Sequence, residues 1–126
     1  MKILIVDDEQ LVRWFLERAL ARRGHDIVSV SNGAEAIEAL SSSDFDLMFT
    51  DLRMPEENGS TLIERVSEIT NGKNRKSPRI IVCSAYITSE MVENYQNGGI
   101  KVLRKPFKLE ELEDILAEGV ENNPHS

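Results

Sequence analysis

Five short apolar runs alternate with five helix-length amphipathic segments along this chain, and that alternation constrains the fold more than any other feature. The runs are Lys2–Val6, His25–Val30, Leu47–Phe49, Arg79–Cys83 and Ile100–Leu103. Most of their residues are apolar in sequence rather than in alternation, which is the pattern of strands buried on both faces. Between the runs, apolar residues recur at helical spacing. Leu11, Val12, Phe15, Leu16, Ala19 and Leu20 form a stripe on a helix predicted from Gln10 to Arg23, and Gly24 stops it. Asn32 and Glu35 open a second helix with a capping-box spacing. Its inward residues are Ala36, Ile37, Ala39 and Leu40, and Ser41–Asp44 is its exit turn. Ser60 is the expected N-cap of a third helix carrying Leu62, Ile63, Val66 and Ile69. A fourth, over 88–97, has only Met91, Val92 and Tyr95 as anchors and ends at Gly98-Gly99. The fifth, over 108–118, places Leu109, Leu112, Ile115 and Leu116 inside.

Repeated strand–helix alternation implies a three-layer α/β fold: a five-stranded parallel sheet with helices on both faces, joined by right-handed crossovers. At 126 residues the common solution is the flavodoxin-like strand order 2-1-3-4-5. The expected domain is 1–120, with 121–126 as a linker or frayed tail. The basic, turn-rich stretch 71–78 reads as a solvated loop. Ligands of such sheets bind at the carboxyl ends of the strands. There the sequence puts Asp7-Asp8-Glu9 after the first strand and Asp51 after the third, with Ser84 and Lys105 after the fourth and fifth. The strand order brings the first and third tips side by side.

Three acids, a hydroxyl and a lysine would therefore share one rim. Crowded carboxylates repel unless a cation sits among them. A hard divalent ion with oxygen ligands suits such a site, and Mg²⁺ in particular combines one or two carboxylates with phosphate oxygens. Neither histidine suits a zinc site: His25 precedes a strand and His125 is in the tail. A carboxylate can also attack phosphorus and form an aspartyl phosphate, with Lys105 and Ser84 placed to hold phosphoryl oxygens. Net charge is −7, which argues against direct nucleic-acid binding. The single cysteine, Cys83, reads as a small buried apolar residue. No apolar stretch reaches the ~20 residues a membrane helix needs, and no signal-peptide pattern opens the chain. The expected location is the cytoplasm.

Four motifs in order make a resemblance specific: Val6-Asp7-Asp8; Asp51 with Met54-Pro55 and Gly59; Ser84-Ala85; and Lys105-Pro106-Phe107. The chain resembles the receiver domain of two-component response regulators over nearly its whole length. That resemblance implies that Asp51 is the phosphoacceptor. It makes Asp7, Asp8, Asp51 and the backbone carbonyl of Arg53 the Mg²⁺ ligands. Ser84 matches the switch hydroxyl and Lys105 the phosphate-binding lysine. It implies a phosphohistidine donor on a sensor histidine kinase or phosphotransfer protein, with catalysis limited to the domain's own phosphorylation and dephosphorylation. It also implies a conformational switch that controls an output domain or partner, and a homodimer face made of the fourth helix, fifth strand and fifth helix. One position departs: Val102 stands where many receivers have an aromatic residue. Arg53 and Tyr86 occupy variable positions near the site, either shielding a phosphoryl group or facing solvent. Trp14, at the edge of the first helix's stripe, is expected to be partly buried in the core, with contact to the phosphodonor as the alternative. Arg13, Arg18, Arg22 and Arg23 make that helix basic on its outer side.

Other readings fit less well. An aspartate-nucleophile phosphatase of the haloacid dehalogenase type wants an acid two residues after the nucleophile, where this chain has Arg53. A flavin or nucleotide binder wants a Gly-rich loop after Val6, and none follows. A receiver-like module that signals without phosphorylation would have a damaged site.

Overall fold

The computed structural model describes residues 1–52, 59–72 and 77–121, apart from the side chains of 59–61, 67, 71 and 118–121. Strands β1 (Lys2–Val6), β2 (Asp26–Val30), β3 (Leu47–Thr50), β4 (Arg79–Ser84) and β5 (Lys101–Arg104) alternate with helices α1 (Gln10–Ala21), α2 (Gly33–Ser42), α3 (Gly59–Gly72), α4 (Ser89–Asn97) and α5 (Leu109–Glu121). The strands form one parallel sheet in the order β2-β1-β3-β4-β5.

The unbroken apolar runs are explained by what lies on each face. Side chains alternate across a strand, so Ile3, Ile5, Phe49, Ile81, Cys83 and Leu103 point one way. They meet Leu16 and Leu20 of α1 and Leu112, Ile115 and Leu116 of α5. Leu4, Val6 and Met48 point the other way, onto Ala36 and Leu40 of α2 and Leu62 and Val66 of α3. Val82 and Leu52 continue this second layer under α4, where Val102, Ile87 and Tyr95 join them. Each fully buried Leu, Ile or Phe contributes about 1.5–3 kcal/mol relative to exposure, and both layers depend on the same strands.

Helix boundaries follow local chemistry. Glu35 N–H donates to Asn32 Oδ1 (2.8 Å), and the Glu35 carboxylate reaches back to Ser31 N–H (2.9 Å) and its hydroxyl (2.8 Å). These bonds hold the Glu35 carboxyl below its ordinary pKa. The expected capping box is therefore present, with its return bond one residue earlier than Asn32. Thr88 caps α4 by accepting from Met91 N–H (3.1 Å). Helix α3 begins at Gly59, so Ser60 lies inside its first turn rather than at the cap. Helix α1 ends at Ala21, two residues before the expected Arg23, and turns at Gly24, whose φ of +81° suits glycine alone.

The apolar stripe of α1 is wider than the face the sheet covers. Leu16 and Leu20 are buried, while Leu11 (80 % exposed), Trp14 (55 %) and Phe15 (38 %) form a solvent-facing shoulder. Leu11 and Leu16 are separated by about 140° around the helix, so one sheet face cannot bury both. The expected core burial of Trp14 is thus overturned. Its ring instead carries the Arg18 guanidinium, 4.8 Å from the ring centroid. Leu109, expected inside, opens α5 and is also exposed. Among the described residues, no helix is long and apolar enough to cross a membrane. Asn71 and Gly72, expected in a loop, close α3, and Glu121, expected in the tail, closes α5; residues 73–76 and 122–126 lie outside the described residues.

Candidate functional site

The sheet ladder carries the acids to one rim. β1 and β3 run side by side with Val6 opposite Thr50. The backbone pairing continues one residue beyond each strand: Asp7 N–H donates to Val30 carbonyl (3.2 Å) and Asp51 N–H to Val6 carbonyl (3.0 Å). Asp7 and Asp51 consequently emerge as neighbours, and both are buried. Asp8 and Glu9 follow on the exposed side. Ser84 is the buried last residue of β4. Lys105 follows β5, with its N–H donating to Ser84 carbonyl (3.0 Å) and a cis peptide to Pro106. The rim expected from the sequence therefore contains all five described residues: Asp7, Asp8, Asp51, Ser84 and Lys105. Arg53, Met54 and Pro55 lie outside the described residues.

Lys105 reaches into the acids. Its ammonium donates to Asp7 Oδ2 (2.7 Å), Asp51 Oδ2 (2.9 Å) and Glu9 Oε1 (3.0 Å). An ammonium has three protons, so three carboxylates saturate it. Burial by itself would lower the Lys105 pKa, but the hydrogen bonds to Asp7, Asp51 and Glu9 together outweigh burial and raise it above the ordinary lysine range. At Asp7 the balance falls the other way for the acid. Burial is the largest influence and raises its pKa. Lys105 and a hydrogen bond from Glu9 N–H (2.9 Å) pull it down, and the Asp51 charge pushes it up again. One ammonium does not neutralise the cluster.

Carboxylate oxygens of Asp7, Asp8, Glu9 and Asp51 lie within 4.8 Å of one another. An oxygen-only donor set with excess buried charge fits a hard divalent cation. Arg13 of α1 donates from its guanidinium to the Asp7 backbone carbonyl (2.5 Å), tying the helix to the strand tip. Neighbouring Cys83 is fully buried, and burial pushes its thiol pKa far up, which suits the apolar role expected of it.

The hydroxyl side of the rim is built from the β4–α4 loop. Ser84 Oγ accepts from Tyr86 N–H (3.2 Å). The exposed Tyr86 lines a pocket of about 230 Å³ together with Asp8, Glu9, Asp51, Ala85 and Lys105. Val102 is half-buried beneath α4. Two residues further on, on the same face of β5, Arg104 donates to the Ile87 carbonyl of that loop (2.8 Å). Glu9, Arg13 and Arg104 were not singled out by sequence for these contacts. Glu9 stood in the visible acidic triplet, but its lysine partner is 96 residues away.

A sequence model of the response regulator receiver domain matches residues 3–117. The chain belongs to the response regulator receiver domains. Such domains serve two-component and phosphorelay signalling. This receiver domain is 33 % identical over 118 residues to the DNA-binding transcriptional regulator NtrC of Escherichia coli (strain K12), matching 94 % of its own length and 24 % of that regulator. It is 29 % identical over 119 residues to the sensory/regulatory protein RpfC of Xanthomonas campestris pv. campestris, 94 % of its own length and 16 % of that protein. It thus spans a quarter or less of these curated relatives. Among solved structures, a two-component response regulator from Clostridium difficile superposes with a TM-score of 0.84 at 25 % identity, covering 100 % of this chain and 99 % of that one. The receiver domain of the hybrid histidine kinase CckA gives 0.76 at 25 % identity, covering 94 % and 97 %. The five parallel strands in the order β2-β1-β3-β4-β5 are the fold these structures share.

Proposed function

We propose that Asp51 accepts a phosphoryl group from a phosphohistidine on a sensor kinase or phosphotransfer protein, and that the resulting change of shape is read by an output domain or partner. The observation that carries the reading is the Lys105 ammonium held 2.9 Å from Asp51 at the mouth of a buried acidic rim. In this reading an Asp51 oxygen attacks phosphorus. The new P–O bond forms as the P–N bond of the donor breaks, and the imidazole keeps the electron pair. Hydrolysis of the acyl phosphate by water returns the carboxylate, so the chain acts catalytically on itself alone.

Lys105 supplies a cation that can follow negative charge from the carboxylate to a phosphoryl oxygen. Ser84 accepts from Tyr86 N–H through a lone pair, which leaves its proton to donate to a second phosphoryl oxygen. Asp7, Asp8 and Asp51 fit Mg²⁺, with the Arg53 carbonyl as a further ligand; the bound ion supplies charge neutralisation for the transferring group. The exposed shoulder of α1, Leu11, Trp14 and Phe15, begins beside this rim and is the surface we assign to the phosphodonor. The α4–β5–α5 face is the surface for a second copy. Residues 1–120 act as one domain in the cytoplasm, with the chain from 121 to 126 as linker, and make no direct contact with nucleic acid.

Incubation with acetyl phosphate and Mg²⁺ tests the reading. Intact-mass spectrometry is expected to find one phosphoryl group on the parent, none with EDTA and none on Asp51→Asn. Equal labelling of parent and variant would sink it.

A further inference from the structure

Glu9 sits at the N-cap of α1 and does not cap it. Its backbone is extended (φ −86°, ψ 112°), yet its side chain makes no cap hydrogen bond. A side-chain oxygen at this position ordinarily accepts from the N–H two or three residues on. Here the carboxylate turns to Lys105 Nζ (3.0 Å), while its own backbone N–H donates to Asp7 Oδ1 (2.9 Å). Glu9 therefore touches both the lysine and one of its buried partners. Its side chain is 58 % exposed, against 3 % for Asp7 and 7 % for Asp51.

That contrast sets up a competition. Lys105 already holds both buried carboxylates, and a divalent cation at the rim needs the same two. The cations repel each other at these separations. Left with no other partner, the ammonium would be driven into water along its flexible stem. Glu9 offers a carboxylate outside the buried pair that is already within hydrogen-bond distance and already hydrated. Its first helical turn is also fixed, because Arg13 binds the Asp7 carbonyl.

We propose that Glu9 is a positioning residue that keeps Lys105 beside Asp51 when a divalent cation engages Asp7, Asp8 and Asp51. The proposal rests on the metal reading given above. Its consequence is that Glu9, by giving Lys105 a partner when the cation takes the two buried carboxylates, lowers the cost of cation binding through Lys105 and does not act as a ligand.

A double-mutant cycle tests it. Mg²⁺ dissociation constants are measured by titration calorimetry for the parent, Glu9→Gln, Lys105→Met and the double variant, with circular dichroism as the check of folding. Glu9→Gln is expected to weaken Mg²⁺ roughly fivefold in the parent background and less than twofold in the Lys105→Met background, the non-additivity of coupled residues. An equal loss in both backgrounds, or no loss in the parent background, overturns the proposal and leaves the metal reading standing. A parent that binds no Mg²⁺ overturns both. Should Lys105→Met fail to fold, the Lys105 ammonium resonance decides. It is expected to persist in the Mg²⁺-saturated parent and to vanish by solvent exchange in Glu9→Gln. Persistence in both overturns the proposal.

Discussion

Replacing Lys105 with methionine removes the ammonium from the acidic rim while keeping most of its apolar stem. The size of the effect follows from its three ion pairs, at 2.7, 2.9 and 3.0 Å. The Glu9 pair is exposed on one side and contributes at most about 1 kcal/mol. The other two are buried, with Lys105 only 10 % exposed. Deleting one partner of a buried pair costs about 3–5 kcal/mol. A separate bound agrees. Two carboxylates at the cluster's outer separation of 4.8 Å repel by about 3.5 kcal/mol at an effective dielectric of ~20. The pair can escape by taking up a proton, which caps the loss. Holding a proton at pH 7 on a carboxyl of ordinary pKa costs about 4 kcal/mol, and at pH 5 about 1.5 kcal/mol. The variant is therefore expected to lose about 3–4 kcal/mol at pH 7 and about 1.5 kcal/mol at pH 5, against a total of ~5–15 for a domain. Urea unfolding in EDTA, followed by far-ultraviolet circular dichroism at both pH values, measures this. Trp14 emission is a poor substitute, because the ring is already exposed. A loss at pH 7 below about 1 kcal/mol, or an equal loss at both pH values, would refute the account of the rim.

Three further outcomes follow from the same geometry. Millimolar Mg²⁺ is expected to raise the melting temperature of the parent, since a ligand that binds only the folded state stabilises by mass action, and Asp8→Asn is expected to blunt the rise; an unmoved melting curve would remove the metal assignment. Burial holds the folded pKa of Asp7 above the ordinary carboxylate range, so its ionised form costs stability at neutral pH, and the cost fades as pH falls through the folded pKa towards the unfolded one. Asp7→Asn is therefore expected to melt higher than the parent at pH 7 in EDTA, with the advantage shrinking towards pH 4; a lower melting point at pH 7 would contradict the sign. A beryllofluoride mimic is expected to change hydrogen exchange mainly over residues 84–99, because α4 buries none of its residues fully and its loop is held by Ser84 and Arg104; changes confined to Asp51 and α1 would refute that route.

The strands were legible because burial on both faces writes itself as unbroken apolar runs, and Lys2–Val6 needed no correction. The rim was legible because strand order alone sets Asp7 beside Asp51. Periodicity fails where it gives a direction but not the width of cover. Leu11, Trp14 and Phe15 belong to a real helical stripe, yet the sheet reaches only as far as Leu16 and Leu20. Leu109 fails for a related reason, since the first residue of α5 overhangs the layer that Leu112 enters. Individual side-chain bonds between distant residues were not legible. Nothing in the spacing of Glu9 and Lys105, or of Arg104 and Ile87, announces a bond. Strand parity sets Val102 and Arg104 on one face of β5, beneath α4, but the guanidinium's reach to the loop carbonyl depends on a rotamer.

The central claim is that Asp51, rather than another acid of the rim, carries the phosphoryl group. Borohydride reduces an acyl phosphate to an alcohol, so a phosphorylated aspartate becomes homoserine at its own position. After treatment with acetyl phosphate and Mg²⁺, reduction and peptide sequencing by mass spectrometry, homoserine is expected at position 51 and at neither 7 nor 8. Homoserine at Asp7 or Asp8, or a phosphorylated parent with aspartate intact at position 51, would contradict the account.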